Sequence, residues 1–111
     1  MNKSVILAGC GNMGFAMLKG WIDGGVLESG HVSVVEPNEA LRMRAHGLGV
    51  RAVASVAELN PAHVPTLVVI AVKPQSMASV LPDYADMAKR GTAFLSVAAG
   101  IPLKAYETAL G

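Results

Sequence analysis

Residues 5–14 read V-I-L-A-G-C-G-N-M-G, an apolar run passing directly into the glycine pattern G-x-G-x-x-G at Gly9, Gly11 and Gly14. The apolar run predicts a buried strand and the residues from Asn12 onward a helix, so the glycines occupy a strand-to-helix turn. Each glycine has its own physical task there. Gly9 permits the tight turn, Gly11 brings bare backbone up to a pyrophosphate, and Gly14 lets the helix pack close on the strand. The helix start turns unpaired N–H groups and its positive dipole end toward the phosphates. A glycine pattern alone is weakly specific. Here Glu36 follows 22 residues after Gly14, at the end of a second apolar run. An acid at that spacing accepts hydrogen bonds from an adenosine ribose, and the combination predicts dinucleotide binding.

Outward from this turn, strands and helices alternate. Residues 4–8 form the first strand. A helix over 12–23 carries Phe15, Leu18 and Ile22 on one face, with Met13, Met17 and Trp21 beside them, and Gly24-Gly25 stops it. A second strand over 31–36 ends at Pro37, and Asn38 caps a helix through Leu41 and Ala45 that Gly47 closes. Residues 49–53 form a short strand at the sheet edge, and Ser55-Val56-Ala57-Glu58 matches the capping box S-x-x-E. Residues 66–72, T-L-V-V-I-A-V, are apolar without alternation, as a parallel strand covered on both faces requires. Helix follows from Gln75 and breaks at Pro82. The fifth strand spans 93–97, with an exit turn at 98–100 and a last helix that Pro102 begins.

This alternation predicts an α/β fold: a Rossmann-type doubly wound parallel sheet in three layers, α/β/α, with right-handed crossovers and strand order 3-2-1-4-5. Ligands of such sheets bind outside the carboxyl ends of the strands, at the switch point between strands one and four. Four loops share that edge. They contribute the candidate cofactor-binding residues Gly9, Cys10, Gly11, Asn12, Met13 and Gly14; Glu36, Pro37 and Asn38; Ala71, Val72, Lys73 and Pro74; and Ala98, Ala99 and Gly100. The small residues among them let a flat ring approach main-chain amides. Glu36 opposes a 2′-phosphate and favours NADH, an effect that Arg42 and Arg44 in the next helix soften, so both NAD and NADP stay open as the cofactor. Lys73 meets either cofactor oxygens or solvent. Cys10 reads as a small residue packed beneath the turn, with a pKa that the helix start lowers.

No catalytic acid–base constellation stands out, and Asp83 and Asp86 fall away from the carboxyl-end loops. His31, His46 and His63 have no ligand spacing, so no metal is expected. The methionines at 13, 17, 43, 77 and 87 read as core filling.

The chain's 111 residues suit one domain, residues 1–111, and 52% of them are hydrophobic, enough for a core. No run approaches the ~18 apolar residues of a membrane span. The net charge of +1 gives no case for nucleic acid or a membrane surface. Met1-Asn2-Lys3-Ser4 leads straight into the first strand, which leaves no room for a signal peptide. With Cys10 as the single cysteine, a reducing, cytoplasmic setting is expected.

Three blocks go beyond a generic nucleotide-binding pattern. G-C-G-N-M-G at 9–14, A-V-K-P-Q at 71–75 and S-V-A-A-G-I at 96–101 resemble, in order and from end to end, the pyrroline-5-carboxylate reductases. The resemblance implies hydride transfer from NAD(P)H to the C=N carbon of 1-pyrroline-5-carboxylate, a cyclic imino acid, giving L-proline. It implies that residues 9–14 hold the pyrophosphate, 36–38 flank the adenosine ribose, and 71–74 and 98–100 line the cofactor toward its nicotinamide. Many family members carry a small or hydroxylated residue where this chain has Glu36. Members are more than twice as long, so the chain is expected to lack a C-terminal helical domain that dimerises and holds the substrate carboxylate, and to be inactive alone. Apolar surface left bare by that absence is expected to drive association. Alternative readings are a stand-alone NAD(P)-binding module, a β-hydroxyacid or prephenate dehydrogenase, and an S-adenosylmethionine methyltransferase.

Overall fold

A computed structural model describes residues 4–60, 62 and 64–96. Strand β1 (Val5–Ala8) runs into α1 (Asn12–Asp23), followed by β2 (Val32–Val35), α2 (Glu39–His46) and β3 (Arg51–Val53). After β4 (Leu67–Ile70) the chain is helical in short pieces: a 3-10 turn Pro74–Ser76, α3 (Met77–Val80), a second 3-10 turn Leu81–Tyr84 and α4 (Ala85–Lys89). The piecewise character follows from Pro82, which has no N–H to continue a regular ladder and sits in the first positions of the second 3-10 turn. Strand β5 (Ala93–Ser96) closes the described chain.

All five strands pair in parallel in the order β3-β2-β1-β4-β5, as the alternation predicts. Neighbouring strands place Leu7, Val34 and Val69 in one row and Ala8, Val35 and Ile70 in the next. Because side chains alternate across a strand, the two rows face opposite sides. Leu7, Val34 and Val69 join Leu18 of α1 and Ala45 of α2 in one buried cluster. Ala8, Val35 and Ile70 join Met77, Leu81, Tyr84 and Met87 in the other. The result is α1 and α2 on one face and the segment 74–89 on the other. At the β5 edge this cover thins: Leu95, paired with Val69, is 53% exposed.

The strands are shorter than the apolar runs suggest. His31 belongs to a 3-10 turn, and Gly49 takes φ +86, a left-handed turn that delays β3 to Arg51. Two methionines expected in the core are outside it: Met13 is 58% and Met43 65% exposed. Met43 is half a helical repeat out of phase with Leu41 and the buried Ala45, and Met13 precedes the inward-facing Gly14 by one residue.

Asn38 caps α2 as its sequence position implies, with Oδ1 accepting from Leu41 N at 3.1 Å. Asn38→Ala is therefore expected to destabilise the chain by about 1 kcal/mol, read as a lower urea midpoint at unchanged m-value.

Candidate functional site

The turn between β1 and α1 is built as its glycines require. Gly9 takes φ +94 and donates its N–H to Val35 O at 2.9 Å, so the chain turns while the sheet ladder is kept. A Cβ at Gly9 would stand 2.9 Å from Val72 Cγ1 and 3.0 Å from Ala71 O. At Gly14 it would stand 2.5 Å from Gly9 O, so helix and turn are in backbone contact. Gly11 differs: a Cβ there would meet nothing within 4 Å. The fold does not need glycine at that position for packing, and its absent side chain leaves main chain bare toward the adjoining cleft. Gly11 is the N-cap of α1, with no side chain capping the helix and no acid in its first turn. The first N–H groups and the dipole end thus suit an anion from outside the chain.

Glu36 ties this turn to its neighbour. It is only 8% exposed, with Oε1 accepting from Cys10 N at 2.8 Å and Oε2 from Asn38 N at 2.9 Å. Two arginines of α2 reinforce the tie. Arg42 Nη1 donates to Glu36 O and Pro37 O at 3.0 and 2.7 Å. Arg44 Nη2 donates to Cys10 O at 3.2 Å, Nη1 to Asn12 Oδ1 at 3.4 Å, and the guanidinium lies 4.1 Å over the Phe15 ring. The sequence suggests a charge-balancing role for these arginines; in the structure Arg42 Nη1 and Arg44 Nη2 donate to loop carbonyls and Arg44 Nη1 to Asn12 Oδ1, while the buried Arg44 Nε has no hydrogen-bond partner among the described residues.

Cys10 is fully buried beneath the turn. Burial pushes its thiol pKa up; Arg44 pulls it down and Glu36 adds to the rise. This corrects the expectation that the helix start lowers it, because desolvation outweighs the nearby positive charge. Cys10 stays a protonated packing residue.

The carboxyl edge opens as a cleft of about 420 Å³. Gly9, Gly11, Glu36, Pro37, Ala71, Val72 and Lys73 line it, which brings together the expected residues from three of the four loops. Cys10 and Gly14 are buried behind that wall, while Asn12, Met13 and Asn38 are exposed beside it. Pro74 begins the 3-10 turn that leaves the edge. Ala98, Ala99 and Gly100 lie outside the described residues.

Several lining residues were not foreseen. Ser55 and Val56 reach the cleft from the β3 exit, and Val80, Asp83 and Tyr84 from the segment across it. The sequence placed Asp83 away from this edge; the 3-10 turn at Pro82 rotates it back. Tyr84 is 1% exposed, and its hydroxyl has no hydrogen-bond partner among the described residues. Burial, then the neighbouring Asp83 charge, push its pKa well above the ordinary phenol value, so it stays protonated. Its signal in the sequence was an aromatic with a polar tip, four residues after Val80, on the inward phase of a helical stretch.

Among the described residues, no group of three or more His, Cys, Asp or Glu is placed to hold a metal ion. Among them, too, no helix is long and apolar enough to cross a membrane.

Residues 3–100 match a family model described as NADP oxidoreductase coenzyme F420-dependent. The pyrroline-5-carboxylate reductase of Escherichia coli K12 is 33% identical over 112 aligned residues, covering 100% of this chain and 41% of that protein. The chain thus spans about two fifths of the length of such curated relatives. A pyrroline-5-carboxylate reductase from Coxiella burnetii shares the fold with TM-score 0.86 at 22% identity, over 100% of this chain and 41% of that one. A Plasmodium falciparum pyrroline carboxylate reductase with NADP bound does so with TM-score 0.77 at 21% identity, over 99% and 38%.

Proposed function

The chain belongs to the NADP oxidoreductase, coenzyme F420-dependent family, and from that membership we propose that it is the cofactor-binding part of a reductase that converts 1-pyrroline-5-carboxylate to L-proline with a nicotinamide dinucleotide. The observation that carries the reading is the glycine turn itself. Its backbone is in contact with α1 at Gly14 and bare toward the cleft at Gly11, with the buried Glu36 carboxylate at the next strand exit. The 33% identity to a pyrroline-5-carboxylate reductase across the whole chain supports the choice of substrate.

In this reading the amides of residues 11–14 hold the diphosphate and Glu36 accepts from the adenosine ribose. Cys10 and Gly14 shape the turn from behind, Asn12, Met13, Pro37 and Asn38 flank it, and Ala71, Val72, Lys73 and Pro74 line the path toward the nicotinamide, with Ala98, Ala99 and Gly100 beyond. A bound nicotinamide supplies the hydride. A cyclic imine is already electrophilic, so alignment is the protein's main contribution. The groups that grip the substrate carboxylate, and a surface for homo-oligomer formation, belong to the part of the relatives' length that this chain does not span.

Parallel titrations with NADH and NADPH, followed by quenching of Trp21 or by calorimetry, test this. Saturable sub-millimolar binding of at least one is the expected result. Tighter NADH binding assigns Glu36 to the ribose hydroxyls, and tighter NADPH binding assigns Arg42 or Arg44 to the 2′-phosphate. If neither binds at millimolar concentration, the reading fails.

A further inference from the structure

We propose that Arg44 is a positioning residue for dinucleotide binding: by gripping the glycine turn on both sides of Gly11, it holds that backbone in order before the ligand arrives. The proposal rests on the dinucleotide reading above and adds to it a residue that does not itself line the cleft.

The need for a grip follows from Gly11. Glycine has more conformational freedom to lose than any other residue, so a cradle of bare backbone stays ordered only if something holds it. Gly9 and Gly14 are held by close packing, since a Cβ would stand 2.9 Å from Val72 Cγ1 at the first and 2.5 Å from Gly9 O at the second. At Gly11 it would meet nothing within 4 Å. The main chain there must be fixed through its neighbours.

Arg44 reaches both of them. Its Nη2 donates to Cys10 O at 3.2 Å and its Nη1 to Asn12 Oδ1 at 3.4 Å, so one planar fork spans the residues before and after Gly11. Glu36 holds Cys10 from the other side by accepting from its N–H. The Cys10 carbonyl belongs to the peptide group whose N–H is that of Gly11, and a cation on the oxygen strengthens that N–H as a donor. The guanidinium is in turn fixed 4.1 Å over the ring of Phe15, in the first turn of α1. Among the described residues no carboxylate pairs with Arg44, and its buried Nε has no hydrogen-bond partner. Both of its hydrogen bonds go to the glycine turn.

The test compares Arg44→Met, which keeps a long stem against Phe15 but loses the charge and the donors, with Arg44→Lys, which keeps the charge without the fork. NADH is the ligand, because it carries no 2′-phosphate that Arg44 could contact directly. Calorimetric titration is paired with ¹⁵N relaxation of the ligand-free proteins. The expected result for Arg44→Met is an NADH affinity lower by about tenfold, the scale of ordering one residue's backbone at the moment of binding. The Gly11 amide order parameter is expected to fall from a rigid value of about 0.85 to below about 0.6, with those of Leu7 and Leu18 unchanged. Arg44→Lys is expected to lie between Arg44→Met and wild type in both readouts. Unchanged affinity or an unchanged Gly11 amide in Arg44→Met overturns the proposal while leaving dinucleotide binding standing. So does loosening that extends to Leu7 and Leu18, which would make Arg44 a general stabiliser. If Arg44→Met does not fold, Arg44→Lys decides alone, and wild-type affinity in it overturns the proposal because charge without the fork would then suffice. If the wild-type chain does not bind NADH or NADPH, the dinucleotide reading falls and this proposal with it.

Discussion

Gly14→Val is expected to abolish measurable dinucleotide binding while leaving a folded but weakened chain. The first atom of any side chain at position 14 would stand 2.5 Å from the Gly9 carbonyl oxygen, a backbone atom that cannot rotate away. The start of α1 must therefore move off the turn. Overpacking of this kind costs about 1–3 kcal/mol of stability. An ångström-scale displacement of positioned groups costs on the order of a hundredfold in what they do. Calorimetric titration with the better-binding dinucleotide, alongside urea unfolding, reads both effects. Gly20→Ala is the matched control, since a Cβ at Gly20 meets nothing within 4 Å. Wild-type affinity in Gly14→Val would show that the helix–turn contact is not what forms the cradle.

Glu36→Ala is expected to be destabilising before any ligand is considered. It strips acceptors from two main-chain donors, Cys10 N and Asn38 N, one of them buried. Leaving both unpaired costs about 2–4 kcal/mol in sum, read as a lower urea midpoint of the ligand-free chain. Glu36→Gln keeps an acceptor oxygen but turns an N–H₂ group toward one of the same donors, so its midpoint falls between the two. A Glu36→Ala midpoint equal to wild type would mean that the two amides find water instead. Because Glu36 holds the glycine turn as well as facing the cleft, its stability effect must be measured separately from its effect on cofactor choice.

This double duty marks where the sequence was legible and where it was not. The helix over 12–23, the Asn38 cap and the break at Pro82 were legible because each depends on chemistry within a few residues, and strand order was legible because the alternation of strands and helices along the whole chain restricts the crossovers. Glu36 was legible as an acid at the right spacing, but its grip on Cys10 N was not, since that bond joins residues 26 apart. The arginines were visible as charges, whereas the partners of Arg44, Cys10 O and Asn12 Oδ1, come within reach only once α2 docks beside the glycine turn. Met43 shows the opposite limit, because hydrophobicity alone put it inside and only helical phase put it out. Asp83 and Tyr84 escaped for a related reason: the 3-10 geometry that aims them at the cleft changes the angular phase on which a reading of helical faces depends.

The central place of β1 also bears on how the chain comes into being. Residue 5 pairs with residue 32 on one side and with residue 67 on the other. Strand β1 therefore has one edge satisfied early, by β2, and the other only after the β4 segment is made. Until the β4 segment has left the ribosome, the wholly apolar strand Val5–Ala8 has one edge of its hydrogen-bonding groups open. Parallel pairing across such separations is slow, because the intervening chain must be closed before any contact rewards it. The nascent chain thus passes through an interval in which its future centre is its most adhesive part.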